Sequence, residues 1–335
     1  MTTPASALRG ALLALGLLCT LPVQAQELIR CAFPFWFGFA PVFVAQKLGF
    51  FEAEGIQVST VFDNDRANVL PAIDSGDLDC TMRTLGEYMA RPRQSDTSGT
   101  VIGTIDVSVG ADGVVAAGDI QSVEDLLGKI FAGEINHPGT VMTQHALAQL
   151  GHSMDEVNVR LINTDDSAAV FEDPEVAAVA TWEPMLGTIV RNSRREGAHV
   201  LLSSADFNGL ITDVIIVRDE DLAARPEAYA GFLRGIYRAI DLYLSDPDRF
   251  IALSAGEYSV DDAEMKEALE GGVQYTSYED TLDFMGSDGT PGKLQQVFED
   301  LNSINLSLAL QDNPLNYADH VDASVVNGLF EGHER

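Results

Sequence analysis

LIRCAFPFWFGFAPVFVAQKLGFFEAEGIQVSTVF, residues 28–62, contains one complete strand–helix–strand unit. LIRCAFPF (28–35) is rich in strand formers and reads as a first strand. It runs into an aromatic loop, Phe35-Trp36-Phe37-Gly38-Phe39. Pro41 stands where a helix accepts proline, in its first turn. PVFVAQKLGFF then places apolar residues at 42, 44, 45, 48 and 51, near helical spacing, and Gly55 closes that helix. IQVSTVF (56–62) alternates as a second strand.

The alternation continues down the chain. ANVLPAIDSGD is a short helix interrupted by Pro71, LDCTMRT (78–84) a third strand, and LGEYMARP a helix stopping before Pro92. TVIGTIDVSVG and GVVAAG give two more strands, around Asp106 and Asp112. A second set follows. Ser122 and Asp125 have capping-box spacing, KIFAGEI is a strand, and Thr140 is placed as the N-cap of helix VMTQHALAQLG. VNVRLIN, EVAAVATWEP (175–184), AHVLLSS and LITDVIIVR (210–218) read as strands, with helix MLGTIVRNSRREG between the second and third. From about Asp221 the chain is mostly helical. Such repeated alternation predicts parallel α/β sheets. Two sets joined by strands near 114–117 and 213–217 predict two lobes that the chain crosses twice. Ligands of such sheets bind beyond the carboxyl ends of the strands, and a cleft between lobes is a common small-molecule site.

The N-terminus adds a destination. Arg9 lies before ALLALGLLCTL, and PVQA ends the apolar run, the pattern of a secretory signal cut after Ala25. The run is shorter than the ~20 residues a spanning helix needs. Leu18 is not the small residue that a lipoprotein signal places before its cysteine, so Cys19 is not read as a lipid anchor. The formal net charge of −31 repels nucleic acid and anionic lipid at long range. Cys31 and Cys80 are too few for a disulfide scaffold or a zinc site. They are read as two small buried hydrophobes on neighbouring strands, with pairing in an oxidising compartment as the alternative. The six histidines form no pair on one helical face, so no metal site and no cofactor are expected.

FGFAPVFVAQKLGFFEAEGIQVSTVF, LPAIDSGDLDC, TLGE and ATWEP closely resemble the nitrate/sulfonate/taurine and thiamine-precursor (NMT1/THI5-like) group of periplasmic substrate-binding proteins, which serve ABC importers. The similarity runs from about residue 28 to 330. It implies a type II periplasmic-binding-protein fold, with two α/β lobes joined by two crossover strands around a ligand cleft. The expected division is a signal peptide at 1–25, a first lobe at 26–115 and 212–335, and a second at 116–211. It also implies a monomer in the periplasm that closes on its ligand and docks on an ABC permease in the inner membrane.

In that family the ligand meets the loop after the first strand, here Pro34 to Phe39, so Trp36 and Phe37 would offer stacking faces; core packing is the alternative for each. Arg83 and Thr84 end the third strand. Arg83 could clamp a carboxylate or sulfonate, or pair with Glu87. Thr140 could present a hydroxyl at a helix start, or simply cap it. His137 is placed with this group. Asp106, Asp112, Glu183 and Asp213 fall at strand ends or crossovers, where carboxylates could attract a cationic nitrogen beside Trp36 or Trp182. Asp213 stands out because it interrupts an apolar strand, and a buried charge needs a partner. Arg83 among several acids favours an amine-bearing or zwitterionic solute, taurine- or sulfonate-like, over a bare anion such as nitrate.

An enzyme is the first rival, because a fungal thiamine-pyrimidine synthase shares the resemblance. That enzyme carries a cysteine-rich iron-binding run absent here. G-x-S-x-G, P-loop and H-E-x-x-H motifs are absent too. No catalytic residue is expected. A sensory binding protein that presents its ligand to a membrane kinase is the second rival.

Overall fold

The computed structural model describes residue 1 and residues 26–64, 66–90, 99–134, 136–207, 209–287, 290–333 and 335. The leader with Arg9 and Cys19, and Pro92, lie outside the described residues. Among the described residues no helix is long and apolar enough to cross a membrane.

Among the described residues, eleven strands form the two main sheets: β1 (Glu27–Phe33), β2 (Ile56–Phe62), β3 (Cys80–Thr84), β4 (Thr100–Ser108), β5 (Asp112–Ala116), β6 (Ile130–Gly133), β7 (Asn158–Leu161), β8 (Val176–Trp182), β9 (His199–Ser203), β10 (Thr212–Val217) and β11 (Val273–Tyr275). The first sheet has the order β11-β4-β10-β3-β1-β2 and the second β7-β6-β8-β5-β9. Strands β1, β2 and β3 are parallel, as are β6, β7 and β8. The expected parallel arrangement holds for these strands, and the reversed strands are an addition to it. β10 runs antiparallel to both β3 and β4, and β5 antiparallel to both β8 and β9. Each enters from the other lobe, so it arrives in the reverse direction and is inserted between strands distant in sequence.

Passage between sheets falls at residues 109–111, between β4 and β5, and again between β9 and β10; the first lies a few residues before the expected 115/116 boundary. Ser204 ties the two connections together. Its hydroxyl lies 2.8 Å from that of Ser108 and accepts from the Gly110 N–H at 2.7 Å.

Two local expectations change. The first helix is two, Ala40–Lys47 and Phe50–Ala53, because Gly49 takes a left-handed φ of 70° between them. Cys31 and Cys80 lie opposite each other in the β1–β3 register and are joined as a disulfide, with Cα atoms 4.6 Å apart. The buried-thiol reading had the strands right and the chemistry wrong. The spacing of two parallel neighbours falls within the disulfide range.

The first lobe holds one large core. Phe33, Phe35, Phe37, Phe43, Phe62 and Tyr258 pack edge to face or tilted, with ring centroids such as Phe37–Tyr258 at 4.9 Å and Phe33–Phe43 at 5.9 Å. Helix Pro226–Ser245 covers helix Ala40–Lys47 through its buried face. The second sheet is sandwiched between two smaller cores. Alternation decides which: Val114 and Ala116 face one with Phe131 and Leu147, and Val115 faces the other with Phe171 and Leu186.

Candidate functional site

In the first lobe, the carboxyl ends of β1, β3 and β4 and the amino end of antiparallel β10 share one sheet edge. Asp213 lies directly opposite both Thr84 on β3 and Asp106 on β4. Asp106 is fully buried and Asp213 only 3% exposed. Directly opposite residues of neighbouring strands share a sheet face, so the two carboxyl groups lie side by side, and the Trp36 indole N–H forks to both oxygens of Asp106 at 3.3 and 3.4 Å. Gly38 makes the approach possible, since a Cβ there would lie 2.1 Å from Asp106 Oδ2. The loop is pinned from behind. The Tyr258 hydroxyl donates to the Trp36 carbonyl at 2.9 Å, and the Tyr275 hydroxyl to the Phe37 carbonyl at 2.8 Å.

Burial pushes the Asp106 carboxyl upward, opposed by its bonds from Trp36 and Asp213 and helped by the Asp112 charge, to about 7. Burial, then the charges of Asp106, Glu87 and Asp112, push Asp213 far above the ordinary carboxyl range.

The other expected residues of this lobe divide. Phe37 is 1% exposed and sits in the aromatic core. Thr84 and Glu87 form a capping box that starts helix Leu85–Met89, Glu87 Oε2 accepting from the Thr84 N–H at 3.2 Å. Arg83 is opposite Val214, so strand alternation turns it to the other face of the sheet from Asp213. Its Nη2 lies 3.5 Å from the Asp63 carbonyl.

The second lobe supplies the facing edge. Asp112 begins β5 directly opposite Trp182, the last residue of β8. The Trp182 indole stacks on the His137 imidazole, centroids 4.8 Å apart and planes 11° from parallel. His137, not Thr140, is the N-cap of helix Pro138–Gln149: its Nδ1 accepts from the Gly139 N–H at 2.9 Å. Pro138 takes the first helical position, which moves the start upstream. Thr140 donates its hydroxyl to the Glu134 carbonyl at 2.7 Å. Glu183 accepts from the Gly187 N–H at 3.1 Å, and burial raises its carboxyl despite that bond and the nearby Arg191.

Both edges meet. Trp36 and Trp182 belong to one continuous buried cluster that includes Val141 of the second lobe, and Asp112 acts electrostatically on Asp106 and Asp213. Around the rim Asn64 donates to Asp165 at 3.3 Å, and Gln144 to the Ser307 hydroxyl at 3.1 Å. Among the described residues no group of three His, Cys, Asp or Glu has a metal-holding arrangement. The arrangement is a cluster of buried acids between two indoles where the edges of the two sheets face each other. It can hold a solute by charge, stacking and hydrogen bonds.

Sequence reading gave Asp106 less weight than Asp213, although an aspartate interrupting the apolar run GTIDVSVG carries the same signal. Gly38, Tyr258 and Tyr275 went unnoticed as supports of the loop. Only Gly38 left a mark in sequence, as the one small residue in an aromatic run.

The profile of the NMT1/THI5-like family matches residues 36–250. A protein of Brucella abortus, named only as a binding protein, is 26% identical over 239 residues, 70% of this chain and 73% of its own. A 4-amino-5-hydroxymethyl-2-methylpyrimidine phosphate synthase of Aspergillus parasiticus is 24% identical over 225 residues, 62% of this chain and 64% of its own. Among solved structures, the alkanesulfonate-binding protein SsuA of Xanthomonas axonopodis superposes with a TM-score of 0.69 at 15% identity, over 89% of this chain and 98% of that one. The periplasmic nitrate-binding protein NrtA of Synechocystis gives 0.73 at 10% identity, over 92% and 89%. The fold is that of the type II periplasmic binding proteins.

Proposed function

The chain belongs to the NMT1/THI5-like family, and from that premise we propose that it is an extracytoplasmic solute-binding protein that captures a small amine-bearing or zwitterionic molecule for an ABC importer. One observation carries the ligand class. Asp213 and Asp106 meet at the edge of the first sheet that faces the second lobe, and the charges acting most strongly on Asp213 are all carboxylates, those of Asp106, Glu87 and Asp112. A site with that field favours a cationic nitrogen and disfavours a bare anion. Trp36 and Trp182 add cation–π attraction from opposite walls. Asp112, Glu183, His137 and Thr140 complete the second wall, and Thr84 and Glu87 the first.

In this reading the leader is removed after Ala25 and the mature protein works as a monomer in the periplasm. The first lobe carries the sheet of β1–β4, β10 and β11 and the second, from Asp112 to Ser203, the sheet of β5–β9; they hinge at the crossovers tied by Ser204, and the closed form docks on the permease. The protein is not an enzyme: its relation to the Aspergillus synthase is in the scaffold, and the cleft holds a recognition surface.

Native mass spectrometry of protein purified from its host tests the proposal, followed by a thermal-shift screen of the compound recovered. A genuine ligand at a hundred times its Kd stabilises by about 2.7 kcal/mol. The expected compound carries a basic nitrogen. A bound nitrate, or a sulfonate with no amine, would reject the ligand class.

A further inference from the structure

Asp106 and Asp213 lie directly opposite each other on adjacent strands, both enclosed, with their carboxyl groups on the same face of the sheet. Two enclosed carboxyl groups side by side do not both ionise without a cation between them, so one of them keeps a proton. Every element packed around the pair argues for keeping that proton. Helix Leu85–Met89, beside β3, brings Glu87, and β5 brings Asp112, both acidic. The loop after β1 brings the neutral Trp36 N–H. Strand β11 brings Tyr275 and the turn before helix Asp262–Gly272 brings Tyr258, whose phenols burial holds un-ionised. Helix Tyr278–Met285 meets β4 through the Thr281 and Thr104 hydroxyls. Arg83, the cation in this stretch of β3, is turned to the other face by the register.

We propose that Asp106 and Asp213 hold one shared proton in the unliganded protein near neutral pH, and that a cationic nitrogen entering the cleft takes its place, so that capture releases a proton. The second half rests on the amine-bearing reading of the site. The charge balances: one positive charge enters as ligand, one leaves as a proton to solvent, and the two carboxylates are left facing the cation. The direction of the carboxyl shifts agrees with the geometry. Two consequences follow in pH. Affinity for an ammonium compound rises with pH, by at most tenfold per unit, while the proton is still held. The apo protein behaves oppositely. A carboxyl whose folded pKa is raised stabilises most below its unfolded value near 4 and loses that contribution as pH rises through the folded value.

The first arm of the test needs no ligand. Infrared spectra of apo wild type, Asp106→Asn, Asp213→Asn and the double variant are compared from pH 5 to 9. The wild type is expected to show, at pH 6, a protonated-carboxyl carbonyl band that the double variant lacks and that fades as pH rises. Identical spectra would overturn the shared proton. Either single variant serves if the other fails to fold. The second arm titrates ethylammonium, putrescine and taurine in two buffers of unequal ionisation enthalpy. About one proton released per molecule bound to wild type, and none with Asp213→Asn, supports displacement. Binding with no proton released overturns displacement but keeps the amine reading. If none of the three binds, the displacement half and the amine reading fall together, and the first arm still decides the shared proton.

Discussion

The two lobes bring similar residue types to the cleft but fix them by different means. In the first, the Trp36–Phe39 loop is set by a deep aromatic core, two tyrosine hydroxyls and a disulfide one strand away. In the second, Trp182 stacks on His137, which itself caps a helix, and the sheet behind them lies between two smaller cores. The carboxyl pair sits on the heavily braced side. Holding two buried acids together costs free energy, and a platform with a large core can carry that cost where a slender one would rearrange. In the proposed hinged closure, the Ser204 tie between the two crossovers is the pivot.

Breaking the covalent brace should give the largest effect. The bridge spans 49 positions, a loop whose closure entropy corresponds to at most about 4 kcal/mol. Cys31→Ala/Cys80→Ala should lower stability by an amount approaching that, read by denaturant unfolding. If the loss is negligible, the asymmetry in bracing is wrong.

Glycines at the two edges sharpen the contrast. At Gly38 an added Cβ would meet Asp106 at 2.1 Å, whereas at Gly139 it would meet the Gly113 carbonyl at 2.8 Å. Gly38→Ala should cost about 1–3 kcal/mol and Gly139→Ala less, by melting temperature. Gly38→Ala should also disturb the Trp36 environment, visible in its fluorescence. The reverse ranking would mean that the loop yields more easily than its bracing implies.

The hinge should respond least. Ser204→Ala removes the tie between the two crossovers and leaves the Gly110 N–H without its acceptor. A loss of about 1 kcal/mol is expected, with a wider interlobe distance distribution by spin labelling. An unchanged distribution would remove Ser204 from the pivot.

Much of this was legible in sequence. The two strands of residues 28–62, the third strand and the apolar strand leading to Trp182 lie where their spacing put them, because hydrophobic periodicity is a local property. Thr84 and Glu87 carry their capping box in the sequence itself. What periodicity could not show was register. That β10 inserts between β3 and β4 in reverse, and so sets Asp213 against Asp106, depends on strands more than a hundred residues apart. The turning of Arg83 away from Asp213 comes from the same register. The Cys31–Cys80 bond likewise needed the alignment of two strands. Phe37 looked like a wall of the site because an aromatic loop after a strand reads the same whether its rings face ligand or core. Thr140 lost the cap to His137 because a histidine side chain can also accept from a helix amide, which composition rules weight lightly.

The central claim is that Asp213 lies in the cleft for a cationic solute and not for the fold. It is tested most directly by Asp213→Asn, measuring affinity for the solute recovered from native protein alongside the apo melting temperature at pH 8. The substitution keeps the shape and removes the charge. Affinity should fall more than tenfold, about 1.4 kcal/mol. The apo melting temperature should hold or rise, since the substitution removes an acid that burial and the neighbouring carboxylates hold in an unfavourable field. Undiminished affinity with a markedly less stable apo protein would contradict the claim and make Asp213 a structural residue.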